Sequence, residues 1–293
     1  MSLKSAAICA ALAVLAIVAS SCSTPDSDVP TPPQKSANAA KPSAKSDAEI
    51  TLPLDSYILS EKQLLRISKG YGYTVEVCAQ RFGLSFTPTP LSKNDTAPRN
   101  SRRYGITDHA VAKTLGYHAD FSRKEKENAI KPGSDLDSVL SGKVRVFSGK
   151  AVPAGGCIGE AQELINRGTR ELDTVDKAQE LSRASYDLSM KEKPVVQGFG
   201  RWSQCMKEAG HTYLRPIDPF NDEKHSTSSI SKAEIATASN DMACKDSTDV
   251  VQVWNTVETR IQNRLIKENQ GELDAIRKDN LRRLTNAEAA LKF

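Results

Sequence analysis

The clearest hydrophobic pattern in the chain is a stripe at helical spacing that contains a cysteine. Its apolar residues recur at gaps of three and four, so they share one face of a predicted helix: Leu64, Ile67, Tyr71, Val75, Cys78 and Phe82. Ser60 and Gln63 have the spacing of a capping box, and Gly83 follows where a left-handed cap would end the helix. Gly70 and Gly72 lie inside this helix, so we expect a kink or close packing there.

A second stretch repeats this arrangement later in the chain. Its buried face is predicted to consist of Val195, Phe199, Trp202 and Met206. In both copies a glycine follows the cysteine after five residues and an aromatic residue comes three later, reading Cys78-x4-Gly83-x2-Phe86 and Cys205-x4-Gly210-x2-Tyr213. In each copy, the repeat predicts a helix that ends at the glycine and is followed by an irregular segment. We interpret Trp202 as a core residue rather than as a ligand platform.

Weaker patterns predict more helices and one small hairpin. Helical stretches are predicted at 108–115, from Gly155-Gly156 onward, at 173–190, after Ser231 and at 250–291. The capping-box spacing of Ser231 and Glu234 starts one of them. Gly271 interrupts the last stretch, which allows either a helical hairpin or one unbroken helix. Short apolar runs on both sides of Ser148-Gly149 predict a β-hairpin.

These elements predict a mainly α fold: disulfide-stapled helical domains with a small β-hairpin, behind a disordered tether. The folded part should cover residues 50–293. It is long enough for one core or for two small ones. The sequence leaves open a single domain or two disulfide-linked repeats, at about 50–170 and 171–293.

Residues 1–21 have the pattern of a bacterial lipoprotein signal peptide. Lys4 precedes an apolar run, and small residues lead directly into Cys22. We expect cleavage before Cys22 and its acylation by fatty acids such as palmitate; a plain secretory signal with an incidental cysteine is the alternative. Residues 22–49 are rich in Ser, Pro, Ala and Lys and contain almost nothing apolar. Such a segment is predicted to be a disordered tether.

The cysteines of the folded part are predicted to form disulfides. Of six cysteines, one lies in the signal peptide and one is Cys22, which leaves Cys78, Cys157, Cys205 and Cys244. An even number in an oxidising compartment indicates two bonds, and four cysteines allow three pairings. If the two copies of the repeat are equivalent, Cys78 pairs with Cys157, and Cys205 pairs with Cys244.

Composition excludes some functions and leaves others open. The formal charge is +4, which does not indicate a nucleic-acid partner, and aromatic residues make up 5% of the chain, which is few for a carbohydrate-binding module. Arg99, Arg102 and Arg103 are clustered. They could attract anionic lipid or wall polymer, or form an ordinary solvated surface.

The sequence contains no motif that indicates catalysis, a metal site or a cofactor. The cysteines form no C-x2-C pair, and the histidines are scattered. Three carboxylates remain as candidates for acid–base chemistry on glycan: Asp55, Asp108 and Glu160. Asp55 and Asp108 are equally good helix or turn caps. We therefore expect a protein without enzymatic activity.

Seven short motifs together resemble a known kind of protein. They are LPLDSY (52–57), Cys78-x4-Gly83, YGITD (104–108), GYH (116–118), VPAGGCIGEA (152–161), W-x2-CM-x3-G (202–210) and DMACK (241–245). With them, the chain resembles a family of uncharacterised secreted or lipid-anchored proteins of actinobacteria, of the streptomycete lipoprotein type. The resemblance implies a cellular location and an architecture, and it implies no reaction.

The predicted cellular location and the fold class together suggest a function. We expect a lipoprotein on the outer face of the cytoplasmic membrane, acting as a non-catalytic interaction or scaffold module. Its partners would be the membrane, through the lipid anchor, and wall polymer or another envelope protein. The alternatives are a glycan-acting enzyme that uses carboxylates, and a solute-binding lipoprotein of a transporter. The latter are built on two α/β lobes, which the helical periodicity of this chain does not favour.

Overall fold

The structure is a computed structural model, and it describes residues 50–89, 91, 99–118, 130–170, 176–226 and 229–292. The described part is mainly helical, which confirms the predicted fold class. Its α-helices are α1 (Glu61–Arg81), α2 (His109–Thr114), α3 (Asp135–Ser141), α4 (Gly156–Asn166), α5 (Lys177–Ser189), α6 (Lys193–Glu208), α7 (Lys232–Thr248), α8 (Val250–Glu268) and α9 (Gln270–Ala290). Single turns of 3-10 helix cover Pro53–Tyr57, Asp218–Asn221 and Glu223–His225.

Helix α1 begins and ends where its local signals place it. Ser60 Oγ accepts a hydrogen bond from the backbone N–H of Gln63, and the side chain of Gln63 accepts one from the backbone N–H of Ser60. The predicted capping box is therefore present. After the helix, Gly83 adopts a φ of 74°, in the left-handed region that favours glycine.

The predicted hairpin is also present, and it forms the only two-stranded sheet within the described residues. Strand β1 (Val146–Phe147) pairs antiparallel with β2 (Lys150–Ala151). The two residues between the strands, Ser148 and Gly149, have φ values of 47° and 75°. Positive φ at both central positions is typical of the two-residue turn whose twist matches that of the strands.

The glycine pair at the start of α4 permits close packing. A Cβ atom at Gly156 would lie 2.3 Å from the carbonyl oxygen of Leu140 and 2.4 Å from that of Val139. Any larger residue would collide with this backbone. The pair therefore packs α4 against α3, next to the disulfide at Cys157.

The two predicted repeat segments pack against each other. Helices α1 and α4, from the first segment, both lie against α9, from the second. At the crossing of α1 and α9 the backbones are in contact: a Cβ atom at Gly70 would lie 2.4 Å from the carbonyl oxygen of Ala287. Gly70 thus provides the close packing that its place inside a helix predicts.

The C-terminal helical stretch is divided at Asn269, two residues before Gly271. Helix α8 packs against α5 and α6, whereas α9 packs against α1 and α4. The two helices contact each other very little, so they do not form a helical hairpin, and the stretch is not one unbroken helix either. Each half instead completes a different part of the core.

The largest cluster of buried residues surrounds Trp254 on α8. Tyr104, Tyr186 and Phe199 place their rings within 5.3 Å of its ring centroid, and Trp202 is fully buried in the same cluster. A second cluster joins α1, α3, α4 and the hairpin. Trp202 is therefore a core residue, as expected. Within the described residues, no helix combines the length and the apolar character that crossing a membrane requires.

Candidate functional site

Both predicted disulfides are present. Cys78 on α1 is bonded to Cys157 on α4, with their Cα atoms 5.5 Å apart, and Cys205 on α6 is bonded to Cys244 on α7, with a separation of 5.6 Å. This is the pairing that the repeat favours. Each bond joins a helix to a later helix that packs against it. Cys22, the predicted lipidation site, lies outside the described residues.

The three candidate carboxylates lie in different elements and have structural partners. Asp108 Oδ1 accepts hydrogen bonds from the backbone N–H groups of Ala110 and Val111, at 2.7 and 2.9 Å, and so caps α2. Glu160, on the surface of α4, forms an ion pair with Arg81 of α1. No described contact links Asp108 to Glu160.

Asp55 lies in the first 3-10 helix and has a similar role. Its Oδ2 accepts hydrogen bonds from the backbone N–H of Leu52 and from the side-chain amide of Asn100, both at 2.8 Å. The capping interpretation of Asp55 and Asp108 is therefore the one that the structure supports.

A buried acidic group on α7 joins several of the short motifs in the sequence. Asp241 is fully buried, and it accepts hydrogen bonds from the indole N–H of Trp202, the hydroxyl of Tyr117 and the ammonium group of Lys245. Lys245 also donates to the carbonyl oxygen of Ile106, at 2.8 Å. Burial raises the pKa of Asp241 and lowers the pKa of Lys245, while their mutual attraction opposes both shifts.

A second buried acidic group, Glu258 on α8, holds the segment before α2. The guanidinium of Arg103 donates to both of its oxygens, with Nε 3.0 Å from each. The hydroxyl groups of Tyr104 and Ser185 donate to it at 2.8 Å, and Gln262 donates at 3.2 Å. Burial, followed by the negative charge of Glu258, raises the pKa of Tyr104, so its hydroxyl stays protonated.

A third carboxylate, that of Glu234, departs from its sequence prediction. Ser231 Oγ accepts a hydrogen bond from the backbone N–H of Glu234, as a capping box requires. The carboxylate does not return to Ser231: it accepts hydrogen bonds from the backbone N–H of Tyr117 and from Nδ1 of His118, both at 2.8 Å. Burial opposes ionisation, but these hydrogen bonds outweigh it and lower the pKa of Glu234.

The arginine cluster is not a solvated basic surface. Arg103 is held by Glu258, and Arg102 donates to the carbonyl oxygens of Tyr117 and His118. Arg99 donates to the carbonyl oxygen of Leu59. The three guanidinium groups thus bind backbone carbonyl oxygens and the buried carboxylate of Glu258.

An open cleft of about 470 Å³ lies beside this segment. We call it the α5 cleft, because the first turns of α5 line one side with Asp176, Gln179, Ser182 and Arg183. Its other walls come from the end of the first 3-10 helix, the start of α1, residues 99–103 and α9. Its volume is in the range of small-molecule sites. No pattern in the sequence indicates this cleft, because five separate segments build it.

Within the described residues, no group of three or more His, Cys, Asp or Glu side chains could hold a metal ion. No protein-family model, curated protein or solved structure matches the chain.

Proposed function

We propose that the protein is a lipid-anchored module on the outer face of the cytoplasmic membrane that binds other envelope components without catalysing a reaction. The observation that carries the proposal is the pair of disulfides, Cys78–Cys157 and Cys205–Cys244. Disulfides persist in oxidising compartments and are rare in the cytosol. They agree with the lipoprotein pattern that ends at Cys22.

The use of the acidic residues supports a non-catalytic role. Asp55 and Asp108 stabilise local turns, and Asp241 and Glu258 each accept several hydrogen bonds deep in the core. A general acid or base must reach the substrate. These carboxylates instead hold the segment 99–118 and its neighbours in place.

The proposed location at the membrane suggests which partners the protein contacts. A tether of Ser, Pro, Ala and Lys between Cys22 and the folded part would let the helical domain reach on the order of 30 Å from the membrane. We infer that it contacts wall polymer or another envelope protein. The resemblance to lipid-anchored actinobacterial proteins agrees with this setting and adds no activity.

Fractionation tests the anchor. The wild-type protein should sediment with membranes and partition into detergent, and its N-terminal peptide should carry acyl chains by mass spectrometry. The Cys22→Ser variant should be released with its two disulfides intact. Wild-type protein that is cleaved elsewhere and found free in the medium would refute the anchor.

Binding and cleavage of purified wall glycan test the non-catalytic role. We expect retention of the protein on its partner without turnover. Asp108→Asn provides the matched control, because asparagine keeps the helix cap and removes the charge. Specific glycan cleavage by the wild type that this variant abolishes would overturn the proposal in favour of a glycan-acting enzyme.

A further inference from the structure

The α5 cleft combines apolar residues with hydrogen-bond donors that have no partner among the described residues. Ile58, Leu59 and Leu64 line it, and Leu64 is 36% exposed. Polar residues of α5 also line the cleft. An apolar surface beside a few convergent polar groups is typical of small-molecule sites.

Most charges around the cleft already have partners. Arg103 is neutralised by Glu258 beneath it, and Arg99 lies 3.9 Å from Asp55. Asp176 accepts a hydrogen bond from the backbone N–H of Gln179 and so caps α5. These groups shape the cleft, and a ligand gains little from them.

Arg183 is different. It is exposed at the edge of the cleft, and it makes no hydrogen bond or ion pair with any described residue. Gln179 lies one helical turn before it, and the side chains of Gln179 and Ser182 likewise have no hydrogen-bond partner in the described part of the chain. Positions 179 and 183 face the same way on a helix. The free polar groups therefore include five guanidinium N–H donors and an amide.

The charge balance selects the ligand. Three arginines line the cleft, and the carboxylates of Asp55, Asp176 and Glu258 lie beside or below them. Asp55 and Glu258 balance Arg99 and Arg103, which leaves Arg183 as the lining arginine with no ion pair to a described residue. Asp176 keeps the cleft close to neutral as a whole, so the cleft disfavours a second negative charge on the ligand. A single negative charge satisfies Arg183, whereas a doubly charged phosphate would remain partly uncompensated. A carboxylate also matches the planar fork of a guanidinium.

We propose that the α5 cleft binds a carboxylate carried next to a short apolar group, as at the C-terminal end of a short peptide. Arg183 and Gln179 hold the carboxylate, and the apolar group packs against Leu64 and Leu59. This inference deepens the proposed function, because it gives the interaction module a binding site and a class of ligand. It depends on that function only for its setting, since the cleft belongs to the folded part.

Titration of the purified protein, followed by amide NMR shifts, tests the cleft. The probes are N-acetyl-leucine, its uncharged amide, acetate and phenyl phosphate. N-acetyl-leucine should give saturable shifts at Gln179, Arg183 and Leu64, whereas the amide should bind about tenfold more weakly and phenyl phosphate should also bind more weakly. Equal binding of the amide, or tighter binding of phenyl phosphate, would overturn the proposed ligand class.

Three variants separate the two halves of the cleft. Arg183→Gln should lower the affinity for N-acetyl-leucine about tenfold, because a charge-assisted hydrogen bond is lost. Arg201→Gln is the matched control: this exposed arginine on α6 also has no ion pair with a described residue, and its loss should change nothing. Leu64→Ala should lower the affinity for N-acetyl-leucine but not the affinity for acetate, which has no apolar group to pack against Leu64. Unchanged affinity in Arg183→Gln would show that the cleft does not select carboxylates.

The result is separable from that of the anchor experiment. Membrane-bound protein that binds none of the probes would refute the cleft proposal and leave the anchor standing. Protein that binds N-acetyl-leucine but is not membrane-bound would refute the anchor and leave the cleft standing.

Discussion

The indole nitrogen of Trp202 lies 2.9 Å from a carboxylate oxygen of Asp241, one helical turn from the disulfide that joins the same two helices. Cys205 follows Trp202 by three residues, and Cys244 follows Asp241 by three. Helices α6 and α7 are thus joined by a covalent bond and by a buried hydrogen bond side by side. This contact connects the W-x2-CM and DMACK motifs.

The same carboxylate brings in two more of the motifs. Tyr117 of GYH donates to Asp241, and Lys245 of DMACK reaches back to Ile106 of YGITD. Motifs that lie far apart in the chain therefore meet in one buried polar network. These contacts are structural, and they hold the segment 99–118 against α6 and α7.

Removing one member of this network should be costly. Lys245→Met would leave the carboxylate of Asp241 buried without its cation, and we expect the free energy of unfolding to fall by about 3–5 kcal/mol. The measurement is urea denaturation near neutral pH, followed by circular dichroism.

An exposed ion pair serves as the control. The side chains of Arg260 and Glu192 are 65% and 41% exposed, so Arg260→Met should cost under about 1 kcal/mol. If Lys245→Met and Arg260→Met lowered the free energy of unfolding equally, the buried pair would contribute no more to stability than an exposed pair does.

The lowered pKa of Glu234 predicts a dependence of stability on pH. Its folded pKa lies below the unfolded value of about 4.3, so its contribution is complete above that value and is lost as the pH falls through the folded pKa. Glu234→Gln should therefore be less stable than wild type near pH 6, and the difference should shrink toward pH 3.

Denaturant titrations at several pH values measure this difference. Asp137 and Asp222 also have lowered pKa values, so the wild type loses stability in acid for more than one reason. Only the difference between wild type and Glu234→Gln isolates Glu234. A difference that stays constant from pH 6 to pH 3 would contradict the assignment.

Elements with local signals could be predicted from the sequence, and α1 shows why. Its capping box, apolar stripe and terminal glycine all act within a few residues of the helix. The hairpin at Ser148-Gly149 is specified in the same way. The start of α7 carries an equally clear signal, yet the carboxylate of Glu234 turns to Tyr117, which is 117 residues away in sequence.

Long-range burial could not be predicted. Asp241 and Lys245 have the spacing of a surface ion pair on a helix, and their neighbours Ala238 and Met242 were the only hint that this face is buried. Arg103 looked like part of a basic surface because Glu258 lies 155 residues further on. The α5 cleft needs five segments in place at once, and no single segment carries its pattern.

The two disulfides should differ in their response to reductant. Thiol exchange requires access to a sulfur atom. Cys78 and Cys157 are 1% and 0% exposed, whereas Cys205 is only partly buried. A mild reductant followed by alkylation should therefore label Cys205 and Cys244 first, which peptide mass spectrometry can resolve.

Loss of either bond should lower stability substantially. The bonds close loops of 79 and 39 residues, and the chain-entropy relation gives about 4.5 and 4 kcal/mol as upper values. Earlier labelling of Cys78 and Cys157 would show that the α1–α4 contact opens before the α6–α7 contact.

The crossing of α1 and α9 gives a prediction about two glycines in helices. Alanine normally stabilises a helix over glycine by about 1 kcal/mol. At Gly70 the new Cβ would lie 2.4 Å from the carbonyl oxygen of Ala287 and 2.8 Å from its Cβ. The backbones must then separate, and overpacking of this kind costs about 1–3 kcal/mol. Gly70→Ala should therefore lower the melting temperature.

Gly200 is the matched control, because it lies inside α6 with nothing within 4 Å of a Cβ atom at its position. Gly200→Ala should raise the free energy of unfolding by about 0.5–1 kcal/mol, an effect opposite in sign to that of Gly70→Ala. Adding Ala287→Gly to Gly70→Ala removes the clash between the two Cβ atoms but leaves the one with the carbonyl oxygen, so rescue should be partial. Thermal unfolding of the four proteins measures these effects. If Gly70→Ala stabilised the protein as much as Gly200→Ala does, α1 and α9 would not be in backbone contact, and the two halves of the chain would be joined less tightly than this crossing implies.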